Sequence, residues 1–469
     1  MAISDPYVLR EENIKEPPTS LLGSLRYIGP GFILSASIVG SGELISTTLL
    51  GAEAGFVLMW FIIFSCLVKV AVQVEFGKHA ISSGEPTMAS LNTLPGPKWG
   101  KANWSIWTWL VLMIGKMMQV GGIVGGVVQA MAEMFPVLKD MPYKAVALYA
   151  VAASVALLIF RGYYVLVEKA SLIMIGAFTL FTLASLIALQ ATELAITWEQ
   201  LASGLVPNMP SSTSILLIAI GAFGITGVGG DEIMAYNYWL IEKGYAAYTG
   251  PKNDSPEWER RARGWIRIMI LDAMLAMVAY TAMTVMFYLL GAAVLHALQL
   301  KPAGSELVAT LSSMYTSSLG PVLGVWAGRL FILGAIVVLY STLLAALAAW
   351  TRMFSDAFGR IGWIDFHNEA SRRRAIGIAA WVIPFGWATL FMIMGDPAFM
   401  VIIGGVATVV ILIIVAFAAL YFRYRRLDPR LRSGGLYDAM LWISAVSIFL
   451  VAIYVVYDKV YKQLIALLG

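Results

Sequence analysis

Two clusters of glycine and acid stand inside runs apolar enough to cross a bilayer. Gly40-Ser41-Gly42-Glu43 lies in the middle of the first run, and Gly227-Val228-Gly229-Gly230-Asp231-Glu232 in the middle of the sixth. A carboxylate at mid-bilayer costs roughly 2.5 kcal/mol or more and normally marks the path of a substrate or ion. Glycine beside it points to unwound backbone, and such interruptions at matching places in two halves of a chain are the mark of inverted-repeat transporters. If the breaks face one another, Glu43, Asp231 and Glu232 converge; they cannot all stay ionised and unpaired, so some take a proton or bind a cation. An oxygen-only set, with Gly40, Ser41, Gly42, Gly229 and Gly230 supplying opened backbone, suits a hard cation such as Mg²⁺, Ca²⁺ or Mn²⁺.

Other readings of the same residues stay open. Glu43 can serve as the N-terminal cap of the outer half of the first helix, held there by the helix dipole. Asp231 and Glu232 are adjacent, so on a helix they point about 100° apart; only one faces the site, and Asp231 is the choice made here. Three bases also lie within spans: Lys69, Lys116 and Arg329. In a structural role they neutralise Glu75, Glu232 or Asp272. In a functional one Lys116, close to Gln119, is an internal cation or a switch, a role open to a buried lysine.

The elements that must position these groups are helices. The composition is 59% hydrophobic and only 13% charged, with many runs of the ~20 residues a spanning helix needs. The runs are continuous, which excludes a β-barrel. Eleven spans are expected, at about 27–53, 55–77, 104–132, 143–160, 164–191, 213–241, 265–296, 320–350, 374–394, 397–422 and 437–457. Lys and Arg concentrate in the 242–264, 351–373 and 423–436 loops, which places those loops and the N-terminus inside the cell. The polar first residues carry no apolar signal region, so no cleaved signal peptide is expected. Cys66 reads as a packing residue, and Trp104, Trp107 and Trp109 as interfacial belt residues.

Several segments resemble the Nramp (natural resistance-associated macrophage protein) divalent-metal transporters. Tyr27-Ile-Gly-Pro-Gly-Phe32 and Gly51-Ala-Glu-Ala-Gly-Phe56 match the first helix, and Leu58-Met-Trp60 with Gln73 and Ser83-Gly84 the second. Leu271-Asp272-Ala-Met-Leu-Ala-Met277, Gly291-Ala-Ala293 and His296 match the seventh, and Leu319-Gly320-Pro321 more loosely the eighth. The resemblance implies a LeuT-type fold: an all-α membrane protein of inverted repeats (5+5 helices) plus an eleventh helix. Its divisions are then a tail (1–26), two repeats (27–191 and 192–424) and the last helix (425–469). The departures bear on chemistry. The family's Asp-Pro-Gly-Asn aligns with Gly40 to Glu43, and its Met-Pro-His with Asp231, Glu232 and Ile233. Where its third helix carries acids on a proton path, this chain has Lys116, Gln119, Val120 and Ile123, and the glutamine of its tenth helix is lost within 402–406.

The expectation is therefore an alternating-access transporter of a hard divalent cation, Mg²⁺ or Mn²⁺, without proton symport. The cation is substrate and no cofactor is expected. The runner-up is a carrier of an amino acid, polyamine or other organic amine, because Glu43 would repel a substrate carboxylate but welcome an ammonium. No nucleophile–base pair or cofactor motif speaks for an enzyme, short loops speak against a receptor, and the net charge of +4 is spread among loops and gives no case for nucleic acid. The expected partners are the lipid bilayer and the transported cation or small cationic solute, the expected state a monomer, and the expected location a bacterial plasma membrane.

Overall fold

In a computed structural model, which describes residues 5–161 and 164–455, the chain is almost wholly helical. Helix α1 occupies 30–54 in three windings, α-helical over Pro30–Ile38, π-helical over Val39–Thr47 and α-helical over Thr48–Ala54. There follow α2 (Met59–Ser83), α3 (Trp104–Met134), α4 (Tyr143–Phe160), α5 (Tyr164–Leu189) and the two halves α6a (Thr213–Ile225) and α6b (Gly230–Lys243). The remainder are α7 (Pro256–His296), α8 (Trp326–Ile361), α9 (Glu369–Met394), α10 (Pro397–Arg426) and α11 (Gly435–Val455). Among the described residues nine of these runs, all but α1 and α5, are long and apolar enough to cross a membrane.

Local chemistry sets the helix starts. Asn103, Ser255, Asn368 and Asp396 each accept a backbone N–H from the first turn of α3, α7, α9 and α10, satisfying donors that a helix cannot bond internally. Ser255 followed by Pro256 starts α7 well before the expected 265, so the basic stretch ahead of that span is its first turns. The expected eighth span also moves. Residues Leu307–Leu323 form a separate helix through Pro321, Gly324 turns the chain at φ +56°, and α8 proper begins at Trp326.

The two glycine clusters behave differently. At the second, the chain leaves helical geometry at Thr226 and passes Gly227 at φ +59°, where a side chain would be strained, before re-entering a helix at Gly230. At the first, the backbone does not unwind but widens into the π-helix. Gly42 is there for close approach: a Cβ on it would lie 2.6 Å from the carbonyl oxygen of Ile225, the last residue of α6a. Gly40 likewise lets α1 press on Thr342 and Val338 of α8.

Every segment expected inside the cell meets at one end of the bundle. Asp5 pairs with Arg372 at 2.9 Å, Glu242 with Arg352 at 2.6 Å, Glu85 with Arg426 at 2.7 Å and Asp428 with Lys252 at 3.2 Å. Tyr7 adds a hydrogen bond to Glu242 at 2.8 Å. The N-terminal segment thereby straps α6b, α8 and α9 together.

Candidate functional site

Asp231 and Glu232 fall in the first turn of α6b, where aligned peptide dipoles favour negative charge. Asp231 is 4% exposed. Its Oδ1 lies 2.9 Å from Nζ of Lys116 on α3, and its Oδ2 accepts the indole N–H of Trp350 on α8 at 3.2 Å. Lys116 also donates to Oε1 of Gln119, one turn along α3, at 2.7 Å. Glu232 folds back over Gly229, and its Oε2 is buried with no hydrogen-bond partner. Both carboxylates border a cavity shared with Ser37, Trp239 and Trp350, with a volume of about 10 Å³. That is the lower limit for one water molecule, so this centre is closed.

Glu43 belongs to a second centre. It hangs from the π-helical segment, fully buried, and Oε1 accepts the N–H of Gly227 in the α6 break at 3.3 Å. Its Oε2 has no hydrogen-bond partner. Lys69, also fully buried, reaches across from α2 and donates to the carbonyl of Phe223 at 2.7 Å and closely to that of Thr226. The ammonium also lies 5.1 Å from the centre of the Phe223 ring. One turn before Lys69, Ser65 Oγ reaches the same Phe223 carbonyl at 3.3 Å and the Thr226 hydroxyl at 2.8 Å. Each charge here meets the end of a broken helix: the cation takes the orphan carbonyls at the C-terminus of α6a, where the dipole favours it, and the anion takes an N–H beyond. Cys66 packs behind, its Sγ 3.6 Å from the hydroxyl of Thr284 on α7.

The expected convergence of three carboxylates is thus not formed in this conformation. Among the described residues no group of three or more His, Cys, Asp or Glu side chains is placed to hold a metal ion. Asp231 and Glu232 lie together, and Glu43 stands apart on the α6 break. Glu43 does not cap an outer half of α1, because α1 has no break there. The Ser41 side chain lies outside the described residues, while Gly229 and Gly230 form the threshold of α6b.

Among the described residues, Lys116 alone of the three bases pairs directly with an acid, and that acid is Asp231 rather than Glu75, Glu232 or Asp272. Lys69 sits on backbone carbonyls. Arg329 is exposed against the ring of Trp326, 5.4 Å away, and takes no part in either centre. Glu75 is met by Lys78 at 3.3 Å and the Tyr437 hydroxyl at 2.9 Å. Asp272 accepts the N–H groups of Gly29 at 2.7 Å and Gly31 at 2.6 Å, with the Tyr236 hydroxyl at 3.2 Å, and so pins the start of α1 to α7. Trp109 is a core residue tilted against Phe354 with ring centres 5.0 Å apart, not a belt residue.

Trp350, Ser65, Thr226 and Thr284 were missed from sequence. The available signal was polarity inside spans: Ser65 and Lys69 are four apart on α2, and so present one face.

The matches to known proteins agree with this architecture. The family model for natural resistance-associated macrophage protein-like (Nramp) proteins matches residues 31–458. No curated protein matches the chain by sequence. Among solved structures, a mutant of the Eremococcus coleocola manganese transporter superposes with a TM-score of 0.66 at 16% identity, over 96% of this chain and 91% of that one. MhsT in complex with L-phenylalanine superposes at 0.59 and 15% identity, over 93% of this chain and 100% of that one. Mhp1, a nucleobase-cation-symport-1 family transporter in a closed conformation, gives 0.54 at 14% identity and 96% of each chain.

Proposed function

The chain belongs to the Nramp family of membrane metal-ion transporters, and from that premise we propose that it moves a hard divalent cation, Mg²⁺ or Mn²⁺, with Asp231 as the principal ligand. The observation that carries this reading is the Asp231–Glu232 pair at the head of α6b, Asp231 buried and Glu232 half-buried, facing α1 and α8. Oxygen donors from Asp231, Glu232 and Ser37 border its cavity, and no sulfur does, a donor set that favours hard ions over soft ones. The relative whose fold this chain shares at a TM-score of 0.66 is a manganese transporter. In this reading Gly40, Ser41, Gly42, Gly229 and Gly230 line the opening between α1 and α6, and Glu43 turns toward Asp231 only when a cation is loaded.

Lys116 then acts as a resident counter-ion. With the centre closed, its ammonium holds Asp231; a cation that enters displaces it, and it returns when the cation leaves. Such an exchange needs no co-transported proton, in keeping with Lys116, Gln119 and Ile233 at positions where the family carries proton-linked acids and a histidine. Alternating access, an inside N-terminus, eleven spans with the divisions 1–26, 27–191, 192–424 and 425–469, a bacterial plasma membrane and a monomer belong to the same proposal.

One observation favours a second reading. Counted over the two centres alone, three carboxylates (Glu43, Asp231, Glu232) against two ammonium groups (Lys69, Lys116) sum to a formal charge of minus one. A singly charged organic amine would balance it, and Trp239 and Trp350 beside Asp231 supply rings for such a cation. Proteoliposome flux separates the two. Mg²⁺ or Mn²⁺ uptake abolished by Asp231→Asn and weakened by Glu43→Gln, with no acidification of the lumen, is the expected result. Metal uptake that is absent, or indifferent to both substitutions, overturns the metal reading, and amine uptake lost in both establishes the second. Metal-driven acidification of fixed stoichiometry overturns the uncoupled mechanism.

A further inference from the structure

We propose that the Lys69 ammonium is a tethered cation filling an oxygen-lined site in the α6 break that would otherwise take a small inorganic monovalent cation. The site is built from four elements. The Phe223 and Thr226 carbonyls bond to Nζ directly. The hydroxyls of Ser65 and Thr226, 2.8 Å apart, stand against the same carbonyl edge. The Glu43 carboxylate faces the break from α1 through Gly227, with its second oxygen buried and unpartnered. Tyr280, whose buried hydroxyl also has no partner, packs its ring against Gly227 from α7.

The chemistry of this set is that of a hard monovalent cation. It comprises two carbonyls at a helix C-terminus, two hydroxyls and one carboxylate, all oxygen and all without access to solvent. Without Lys69 it would hold an uncompensated carboxylate, an orphan Thr226 carbonyl and a Phe223 carbonyl left to Ser65 alone, a set that calls for a positive partner. A four-carbon stem from α2 delivers that partner permanently. The break in α6 is thereby held in shape with no diffusible ion, and a cycle that would otherwise depend on a monovalent cation is freed from it. The site shares Glu43 with the cargo reading, whose principal ligand is Asp231, and its test reads melting rather than flux, so the two fail separately.

The test needs no cargo. Purified protein in detergent is heated in NaCl, KCl or choline chloride at equal ionic strength. Wild type is expected to melt at one temperature in all three. Lys69→Met, which keeps the stem and removes the charge, is expected to melt several degrees lower in choline and to recover saturably in NaCl or KCl, with the recovery lost when Glu43→Gln is added. If Lys69→Met does not purify, Lys69→Ala is prepared with and without NaCl throughout. Monodisperse protein only with the cation supports the proposal. Aggregation of both variants in every salt makes Lys69 a structural cap and overturns it, as does a folded Lys69→Met whose melting ignores the cation.

Discussion

Two buried centres in this protein each set an acid beside an ammonium, and they are wired in opposite ways. At the head of α6b the two charges meet directly, Asp231 against Lys116 at 2.9 Å. At the α6 break they do not meet: Lys69 satisfies carbonyls and Glu43 an N–H. The first arrangement is an ion pair whose members depend on one another. The second is a pair of caps on opened backbone that face the same break without touching. The lesson is that a direct pair can be exchanged for a cargo ion, whereas a cap that completes the backbone is part of the frame.

The contrast predicts its largest effect in stability. Lys116→Met strands Asp231 without its cation, and breaking one side of a buried pair costs about 3–5 kcal/mol. Lys69→Met instead orphans the Thr226 carbonyl, at ~1–3 kcal/mol, and leaves that of Phe223 to Ser65 alone. The two differ most clearly in coupling. In a double-mutant cycle with Asp231→Asn, Lys116→Met is expected to show a coupling of about 2 kcal/mol or more. A cycle of Lys69→Met with Glu43→Gln, run in choline chloride, is expected to show a smaller coupling, because no direct contact joins the two. Unfolding in mixed micelles measures both. An equal or larger coupling at Glu43–Lys69 would break the comparison.

How much of this was legible in the sequence follows from the same wiring. The helical membrane fold and the two acidic clusters as places of interest follow from hydropathy, glycine and charge, and the family from the resemblance of the motifs in α1, α2 and α7. What was not legible is what each glycine does. Gly227 relaxes a backbone that must turn at φ +59°, while Gly42 only makes room for the Ile225 carbonyl, and the two roles look identical in a string of letters. In a sequence the evident partner of a charge is an opposite charge, which points Lys69 toward an acid. A carbonyl freed by a helix break has no letter of its own, so Lys69 on Phe223 and Thr226 could not be read. Trp350 was invisible for a related reason: an indole N–H inside an apolar span matters only once its acceptor, Asp231, is known.

A middle-sized effect sharpens the contrast by reporting on one centre alone. Cys66, the only cysteine, is fully buried beside Thr284 behind the Glu43 centre. Asp272 fixes the start of α1 through Gly29 and Gly31. Asp272→Ala removes two charge-assisted hydrogen bonds, each worth ~1.5–3 kcal/mol. With every ~1.4 kcal/mol a factor of ten, alkylation of Cys66 by N-ethylmaleimide is expected to speed up about tenfold or more. Lys116→Met, which acts at the other centre, is expected to change that rate much less. Equal acceleration by both substitutions would mean that the centres open as one.

The smallest effect lies outside both centres, on the clasp between Asp428 and Lys252 at the end of the bundle where the N-terminal segment packs. The Asp428 carboxylate accepts from Nε of Arg430 at 3.1 Å, from its backbone N–H at 3.0 Å, and pairs with Lys252 at 3.2 Å. The Arg430 guanidinium, more than any other group, holds the Asp428 carboxyl well below the usual carboxylate range. A depressed value means that the folded clasp favours the ionised form. Its contribution is present above the unfolded value of about 3.9 and is lost as pH falls below it toward the folded value. Hydrogen exchange across 251–256, corrected for the intrinsic rate, is therefore expected to be flat from neutral pH to about 4 and to rise only below. Asp428→Asn at neutral pH is expected to reproduce that acid behaviour, leaving the Lys116–Asp231 coupling unchanged. A loosening that instead began near neutrality would place control of the clasp on another group.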